Sequence, residues 1–323
     1  MQAIELDHVR RIFRTSIGTL RRHTKEVVAL DDVSLDVAAG ELFGLIGPNG
    51  AGKTTTVKIL TTLLIPTDGR ATVLGHDVVA DTRFVRRNVG FLFGGERGLY
   101  FRVSGRANLE YFAELYALPP RGIAKRVDEL LALVGLSDRG AERVEGYSRG
   151  MKQRLHLART LLHDPPVLFL DEPTIGLDPI GARDLRETIE RLRERGKTIV
   201  LTTHYMFEAD ALCGRIAVIS GGRIVAGGTP AELKRHVRDL SVVELELFGA
   251  PDDLTSRLRA IDGVDSVVVE RRELRQVFRV QTADGERAVP RLLGVVGQVD
   301  VGRVSVREAT LEDAYVRLVG RVE

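Results

Sequence analysis

Residues 47 to 55 read GPNGAGKTT and fit G-x-x-x-x-G-K-[ST], a spacing whose chemistry is the capture of a polyphosphate. Gly47, Pro48, Asn49, Gly50, Ala51 and Gly52 form a loop whose glycines let successive backbone N–H groups turn inward around phosphate oxygens. Lys53 can reach the β and γ oxygens, Thr54 offers a hydroxyl to Mg²⁺, and Thr55 continues into the following turn. The rival reading is an ordinary glycine-rich turn. Further along, VLFLDEP (167–173) delivers two neighbouring carboxylates, Asp171 and Glu172, at the end of an apolar run. Asp171 is placed to hold Mg²⁺ through water, and Glu172 to orient or deprotonate an attacking water. Alternatively, Glu172 caps the turn at Pro173. TIVLTTH (198–204) is a second apolar run, and it ends in His204, which could reach a γ-phosphate or serve the structure alone. YSRGMKQR (147–154) sets Ser148 and Gly150 at the start of a helical pattern. There they suit a phosphate contact or a simple helix cap.

These groups need elements that bring them to one edge. Glu41 to Ile46 reads as a strand and Thr55 to Leu64 as a helix, so the phosphate loop opens a helix whose N-terminal partial charge favours an anion. Val167 to Leu170 and Thr198 to Thr202 read as buried strands, Pro179 to Arg195 as a helix, and the region around Ser220-Gly-Gly-Arg223 as a hairpin. Strands alternating with helices imply an α/β fold with a largely parallel sheet covered on both faces, and ligands of such sheets bind at the carboxyl ends of the strands. Ala3 to Val9 and Val27 to Val37 alternate like strands. Between them Arg14 to Lys25 is basic and patternless, and reads as a surface loop or, less readily, as a phosphate or lipid-headgroup contact. From Arg102 to Leu162 the apolar period is helical, with Ile123, Val127, Leu130, Leu131 and Val134 on one stripe, as in a helical subdomain inserted at about 97–162. After Leu240 the order is βαββαβ, the split-βαβ ferredoxin-like plan, without a cluster of Cys, His or paired carboxylates. That segment reads as a regulatory or dimer-stabilising appendix. The expected domains are therefore 1–235 and 241–323.

Composition narrows the classes. The chain has 323 residues, 44% of them hydrophobic, enough for a large core and a second domain. A formal net charge of +2 argues against nucleic acid as a partner. Cys213 is the single cysteine, so no internal disulfide forms. It suits a small buried apolar role in a reducing compartment. The N-terminus lacks the apolar run of a signal peptide, and no stretch approaches the roughly 18 apolar residues of a membrane span. Any membrane function then requires separate spanning subunits.

In order, the phosphate loop, YSRGMKQR, LFLDEP, IGLD and TTH resemble the ATP-binding subunit of ABC transporters over about residues 1–235. The C-terminal segment, ending LEDAYVRL, is similar to the extension on drug-exporter ATPases of the ABC-2 group, including daunorubicin-resistance ATPases. The resemblance implies a homodimer that clamps Mg-ATP, with Ser148 and Gly150 on the γ-phosphate held by the opposite subunit and Asp178 in the loop crossing the interface. It further implies Glu172 as catalytic base, His204 as switch histidine, and an upstream aromatic that stacks on adenine. Phe13 is the candidate aromatic, with core packing as its alternative. Separate permease subunits at the cytoplasmic face of the membrane are implied, docking near Gly98 to Asn108, where Tyr100 and Phe101 are either exposed for a partner helix or packed inward. Two departures stand out. Tyr147, Arg149 and Met151 replace the Leu, first Gly and Gln of the usual L-S-G-G-Q, and Gly94 or Gly95 stands where the family has a metal-touching Gln. Glu96 is either a substitute ligand or a solvated turn residue. Rival functions are a soluble ABC-type ATPase acting on nucleic acid or ribosomes, and a small-molecule phosphoryl transferase.

Overall fold

The computed structural model describes residues 1–17, 23–93, 98–235, 237, 240–272 and 275–319. They fall into two compact units, Met1–Thr229 and Pro230–Glu323. In the first, a six-stranded sheet runs in the spatial order Arg223–Gly228, Arg215–Ser220, Leu42–Ile46, Thr198–Thr203, Val167–Asp171 and Val89–Phe93. Five of these strands are parallel, and Arg223–Gly228 turns back antiparallel on Arg215–Ser220. Leu42–Ile46, Val167–Asp171 and Thr198–Thr203 are buried at every position. Largely apolar runs form such strands because both faces must be covered. Phe43, Leu45, Val57, Ile59, Phe169, Val200 and Ile219 share that core. Cys213 is buried beside Gly44, and burial raises its thiol pKa.

A second, antiparallel sheet joins His23–Ala38, Gln2–Ile17, Asp68–Val73 and His76–Asp77. Here the expected loop at Arg14 to Lys25 is corrected. Pairing continues through Arg14↔Glu26, Thr15↔Lys25 and Ser16↔Thr24 to Ile17↔His23, while residues 18–22 lie outside the described set. The third strand stops at the pair Arg10↔Asp68. Beyond it the two strands pair with each other alone, and the segment's sequence carries no apolar alternation to detect.

Three helices, Gly105–Leu115, Pro120–Leu133 and Arg149–Thr160, form the helical part. Ser104 caps the first by accepting the N–H of Ala107 at 3.1 Å. Val127, Leu130, Leu131 and Val134 are buried and Ile123 half-buried. Buried Asn108 accepts the N–H of Tyr100 at 2.8 Å and donates to its carbonyl at 2.9 Å. The loop so fixed exposes Tyr100 and Phe101 by 51% and 39%, which decides between the two readings of these rings in favour of exposure.

The second unit places Val264–Arg272, Arg275–Thr282, Ser241–Phe248 and Asp300–Glu308 side by side, each pair antiparallel. Helices Leu254–Arg259 and Gly285–Val296 complete the βαββαβ order. They bury Leu254, Leu258, Ala288 and Leu292 against Val243, Leu245, Phe278 and Val280. Two helices were not legible: Pro230–Arg235, which the chain's compact division assigns to this unit, and Leu311–Val319. The second carries a buried acid in its first turn, Asp313, which accepts from Arg307 Nη1 at 2.6 Å and from the N–H and Oγ1 of Thr310 at 2.7 and 2.8 Å.

Candidate active site

Strand Leu42–Ile46 hands the chain to the phosphate loop at Gly47, where a Cβ would lie 2.2 Å from the carbonyl oxygen of Ile219. Gly52 closes the loop at φ +115°, and a Cβ there would sit 2.6 Å from Leu30 Cδ2 and 2.8 Å from the Ala29 carbonyl. Only glycine fits at either place. Helix Lys53–Leu60 follows with no side-chain cap, so its first N–H groups and the positive end of its dipole are left for an anion. Pro48, Asn49 and Gly50 are exposed, Ala51 and Gly52 buried, Thr54 exposed and Thr55 half-buried.

The Lys53 side chain is 5% exposed, and its ammonium donates to the carbonyls of Gly47 and Pro48 at 2.7 and 3.1 Å. Burial pulls the Lys53 pKa below the ordinary lysine range, against the opposing pull of Glu172 and Asp171. The side chain therefore braces the loop from beneath while keeping a cation at its floor.

Parallel register sets Asp171 beside Thr202, both at the carboxyl ends of their strands. Thr54 Oγ1 donates to Asp171 Oδ2 at 2.9 Å, and Thr202 Oγ1 donates to Oδ1. Glu172 has φ +49°, a left-handed backbone that non-glycine residues rarely take. Its N–H is received by the carbonyl and hydroxyl oxygens of Thr202 at 3.0 and 3.2 Å. The carboxylate points between two cationic or protonatable groups: Oε1 is 3.7 Å from Lys53 Nζ, and Oε2 is 3.2 Å from His204 Nδ1. The latter approach lacks hydrogen-bond alignment, and His204 Nδ1 has no hydrogen-bond partner among the described residues. The turn carrying His204 is fixed from behind, where Thr203 Oγ1 receives the N–H of Tyr205 at 2.9 Å and donates to Glu208 at 3.0 Å.

Lys53, Thr54, Asp171, Glu172 and His204 thus meet in one connected cluster. Ser148, Gly150, Asp178 and Phe13 stand elsewhere. Ser148 is the exposed cap of Arg149–Thr160 and receives Met151 N–H at 3.2 Å, with Gly150 buried in the same turn. Asp178 caps Pro179–Glu194 through Gly181 N–H at 3.2 Å. Phe13 is half-buried with the guanidinium of Arg11 4.7 Å from its ring centre, and it pairs with Val27, two residues from the Ala29 that touches Gly52. That is about 7 Å along the strand, the scale of a ribose between a phosphate chain and a base. Gly94, Gly95 and Glu96 lie outside the described residues. Sequence reasoning missed Thr202, whose one signal was a polar residue inside the apolar run TIVLTTH. It also missed the seat of Arg149, whose guanidinium lies over Gly176 (φ +71°) in the IGLD segment.

The chemistry available is that of a phosphate cradle with a fixed cation, an adjacent acid and a base. Thr54 and Asp171 supply two hard oxygens for a metal. No group of three or more His, Cys, Asp or Glu among the described residues forms a metal cage. Two protein oxygens fit an ion such as Mg²⁺, which keeps waters and takes phosphate oxygens.

A family model described as ABC transporter matches residues 30–175. The daunorubicin-resistance ATP-binding protein DrrA3 of Streptomyces coeruleorubidus is 41% identical over 298 residues, covering 90% of this chain and 91% of that protein. The chain belongs to the ABC transporter family. The Nod factor export ATP-binding protein I of Rhizobium sp. (strain N33) is 38% identical over 308 residues, spanning 94% of this cassette and 96% of the relative. Among solved structures, a dimeric ATP-binding cassette in a post-hydrolysis state with ADP and Pi superposes with a TM-score of 0.61 at 26% identity. The match covers 70% of this chain and 98% of that one. The cbiO1 subunit of a Clostridium perfringens ABC transporter complex gives 0.63 at 26% identity, covering 73% and 94%. The cassette is accordingly an ATP-binding, ATP-hydrolysing protein of α/β fold. No helix among the described residues is long and apolar enough to cross a membrane.

Proposed function

We propose that this ABC ATPase closes as a homodimer around Mg-ATP and powers export of a drug-like or other hydrophobic compound through separate permease subunits at the cytoplasmic face of the membrane. The observation that carries the reading is the division of the site's parts. One connected cluster, from Lys53 through Asp171 to His204, has the means to bind a triphosphate and attack it. Two exposed helix caps, Ser148 and Asp178, stand outside that cluster with their own local bonds, as expected of groups offered to a second copy. Relatives named for daunorubicin resistance and Nod factor export support the direction, and none of them supports the nucleic-acid alternative.

The phosphate-loop amides and Lys53 bind the β and γ phosphates, and Phe13 stacks on adenine. Thr54 and Asp171 would hold Mg²⁺, which supplies charge neutralisation to the phosphates when bound. Ser148 and Gly150 of the second copy bring a hydroxyl and a helix N-terminus to the γ-phosphate. The nucleotide then has more favourable contacts in the closed dimer than in separate halves, and this difference shifts the equilibrium. Glu172 orients water in line with the γ-phosphate, His204 holds its position beside that carboxylate, and release of phosphate removes the contacts that kept the halves together.

Complementation tests the shared site. Ser148→Ala and Lys53→Ala chains are each expected to lose ATPase activity. A mixture should regain part of it, because a heterodimer of the two retains one complete site made of an intact phosphate loop and the other chain's intact Ser148. No recovery on mixing, with both variants folded, would remove the dimer from the proposal. Release of free phosphate without any added acceptor separates hydrolysis from phosphoryl transfer.

A further inference from the structure

We propose that Thr202 is a positioning residue for ATP hydrolysis, whose single buried hydroxyl joins the carboxylate of Asp171 to the backbone of Glu172 and so sets both acids together. The inference rests on reading this cluster as the Mg-ATP site. Thr202 is 0% exposed, the last but one residue of strand Thr198–Thr203. Its Oγ1 donates to Asp171 Oδ1 and receives the N–H of Glu172 at 3.2 Å, and its carbonyl receives the same N–H at 3.0 Å. One residue therefore supplies a donor to the first acid and both acceptors to the amide of the second.

Two consequences follow from the geometry. Asp171 has a different threonine on each oxygen, Thr202 on Oδ1 and Thr54 on Oδ2. Thr54 is exposed, in the loop that takes the nucleotide, whereas Thr202 is enclosed by the sheet. With Oδ1 committed to the enclosed hydroxyl, Oδ2 is the oxygen left to face a cation, and the carboxylate cannot rotate without stranding a buried donor. The second consequence concerns Glu172. Its left-handed backbone is one that L-residues rarely take, and the two bonds from its amide to Thr202 hold it there. That backbone directs the carboxylate towards Lys53 at 3.7 Å and His204 at 3.2 Å. Outer residues that orient metal-side carboxylates typically account for about 10- to 100-fold in metal affinity or rate.

Thr202→Val removes the hydroxyl while keeping the branched shape, and Thr202→Ser keeps the hydroxyl. The readouts are the Kd for ATP in EDTA and in Mg²⁺, kcat, and the thermal midpoint. Thr202→Val should bind ATP in EDTA within about threefold of wild type, yet lose about 10-fold or more of the affinity gained with Mg²⁺ and of kcat. Thr202→Ser should stay within about threefold on every measure. The proposal is overturned if Thr202→Val keeps both the Mg²⁺ gain and kcat, or if Thr202→Ser fails as badly as Thr202→Val at an unchanged midpoint. Should Thr202→Val melt below the assay temperature, Thr202→Cys, unbranched but of similar volume and with only a weak thiol donor, takes its place under the same criteria. A wild-type chain that does not bind ATP at all would instead overturn the ATP reading on which the inference stands.

Discussion

Glu172→Gln separates binding from chemistry at this site. The carboxylate lies 3.7 Å from Lys53 Nζ, with side-chain exposures of 20% and 5% for Glu172 and Lys53, so screening by solvent is limited. At an effective dielectric of about 20 the attraction across such a gap is about 4 kcal/mol before desolvation is subtracted. Glutamine keeps the length of the side chain and the backbone bonds to Thr202, but removes the charge that competes with a phosphate for Lys53. Binding of ATP should therefore be retained or strengthened. Loss of a general base typically removes about 10²- to 10⁴-fold of the rate, or about 3–5 kcal/mol of transition-state stabilisation. Phosphate release should fall in that range while light scattering reports an ATP-dependent dimer that persists. A variant that turns over within about threefold of wild type, or that stays monomeric at saturating Mg-ATP, would refute the assignment of Glu172 and the charge argument with it.

Gly47→Ala should weaken ATP binding by about 10-fold or more and lower the melting midpoint, because a Cβ 2.2 Å from the Ile219 carbonyl forces backbone to move. Isothermal titration and a thermal melt check both parts. Phe13→Ala should lower ATP affinity by about 1–3 kcal/mol, the usual scale of base stacking on an aromatic ring, and leave the affinity for inorganic tripolyphosphate unchanged. Equal losses for both ligands would remove Phe13 from the base. In the second unit, Asp313→Asn should destabilise the chain by about 2 kcal/mol, reduced from the figure for a fully buried pair because Arg307 is about one-third exposed. Burial would raise the Asp313 pKa, but the bonds from Arg307 and Thr310 outweigh it and hold the carboxyl below 3.8. Its contribution is therefore complete above the unfolded pKa and lost as pH falls through the folded one. Urea midpoints measured between pH 6 and about pH 3 should fall further for the wild type than for the Asn variant.

The residues proposed to perform chemistry were legible because their types are constrained by what they touch. The two glycines that admit no Cβ, Lys53, the paired acids and the terminal histidine announce themselves in spacing alone. Apolar runs bounded by those groups also determined the parallel strands, since a strand covered on both faces is largely apolar. The βαββαβ order of the second unit was equally plain, because alternating and helical periods switch cleanly there. Tertiary structure alone decided what depends on partners distant in the chain. That Thr202 receives the amide of Glu172 and donates to Asp171 follows from parallel register between strands 31 positions apart. Nothing local distinguishes it from Thr203, which instead serves Glu208. The ribbon at Arg14 to Ile17 and His23 to Glu26 was hidden for the opposite reason, since it pairs through backbone bonds that any side chain permits. Helix Leu311–Val319 was missed although Asp313 in its first turn is held by Arg307 and Thr310, only six and three positions back. Local periodicity records burial and backbone conformation, whereas a long-range polar contact leaves no period to read, and it forms only when the folded chain brings its two ends together.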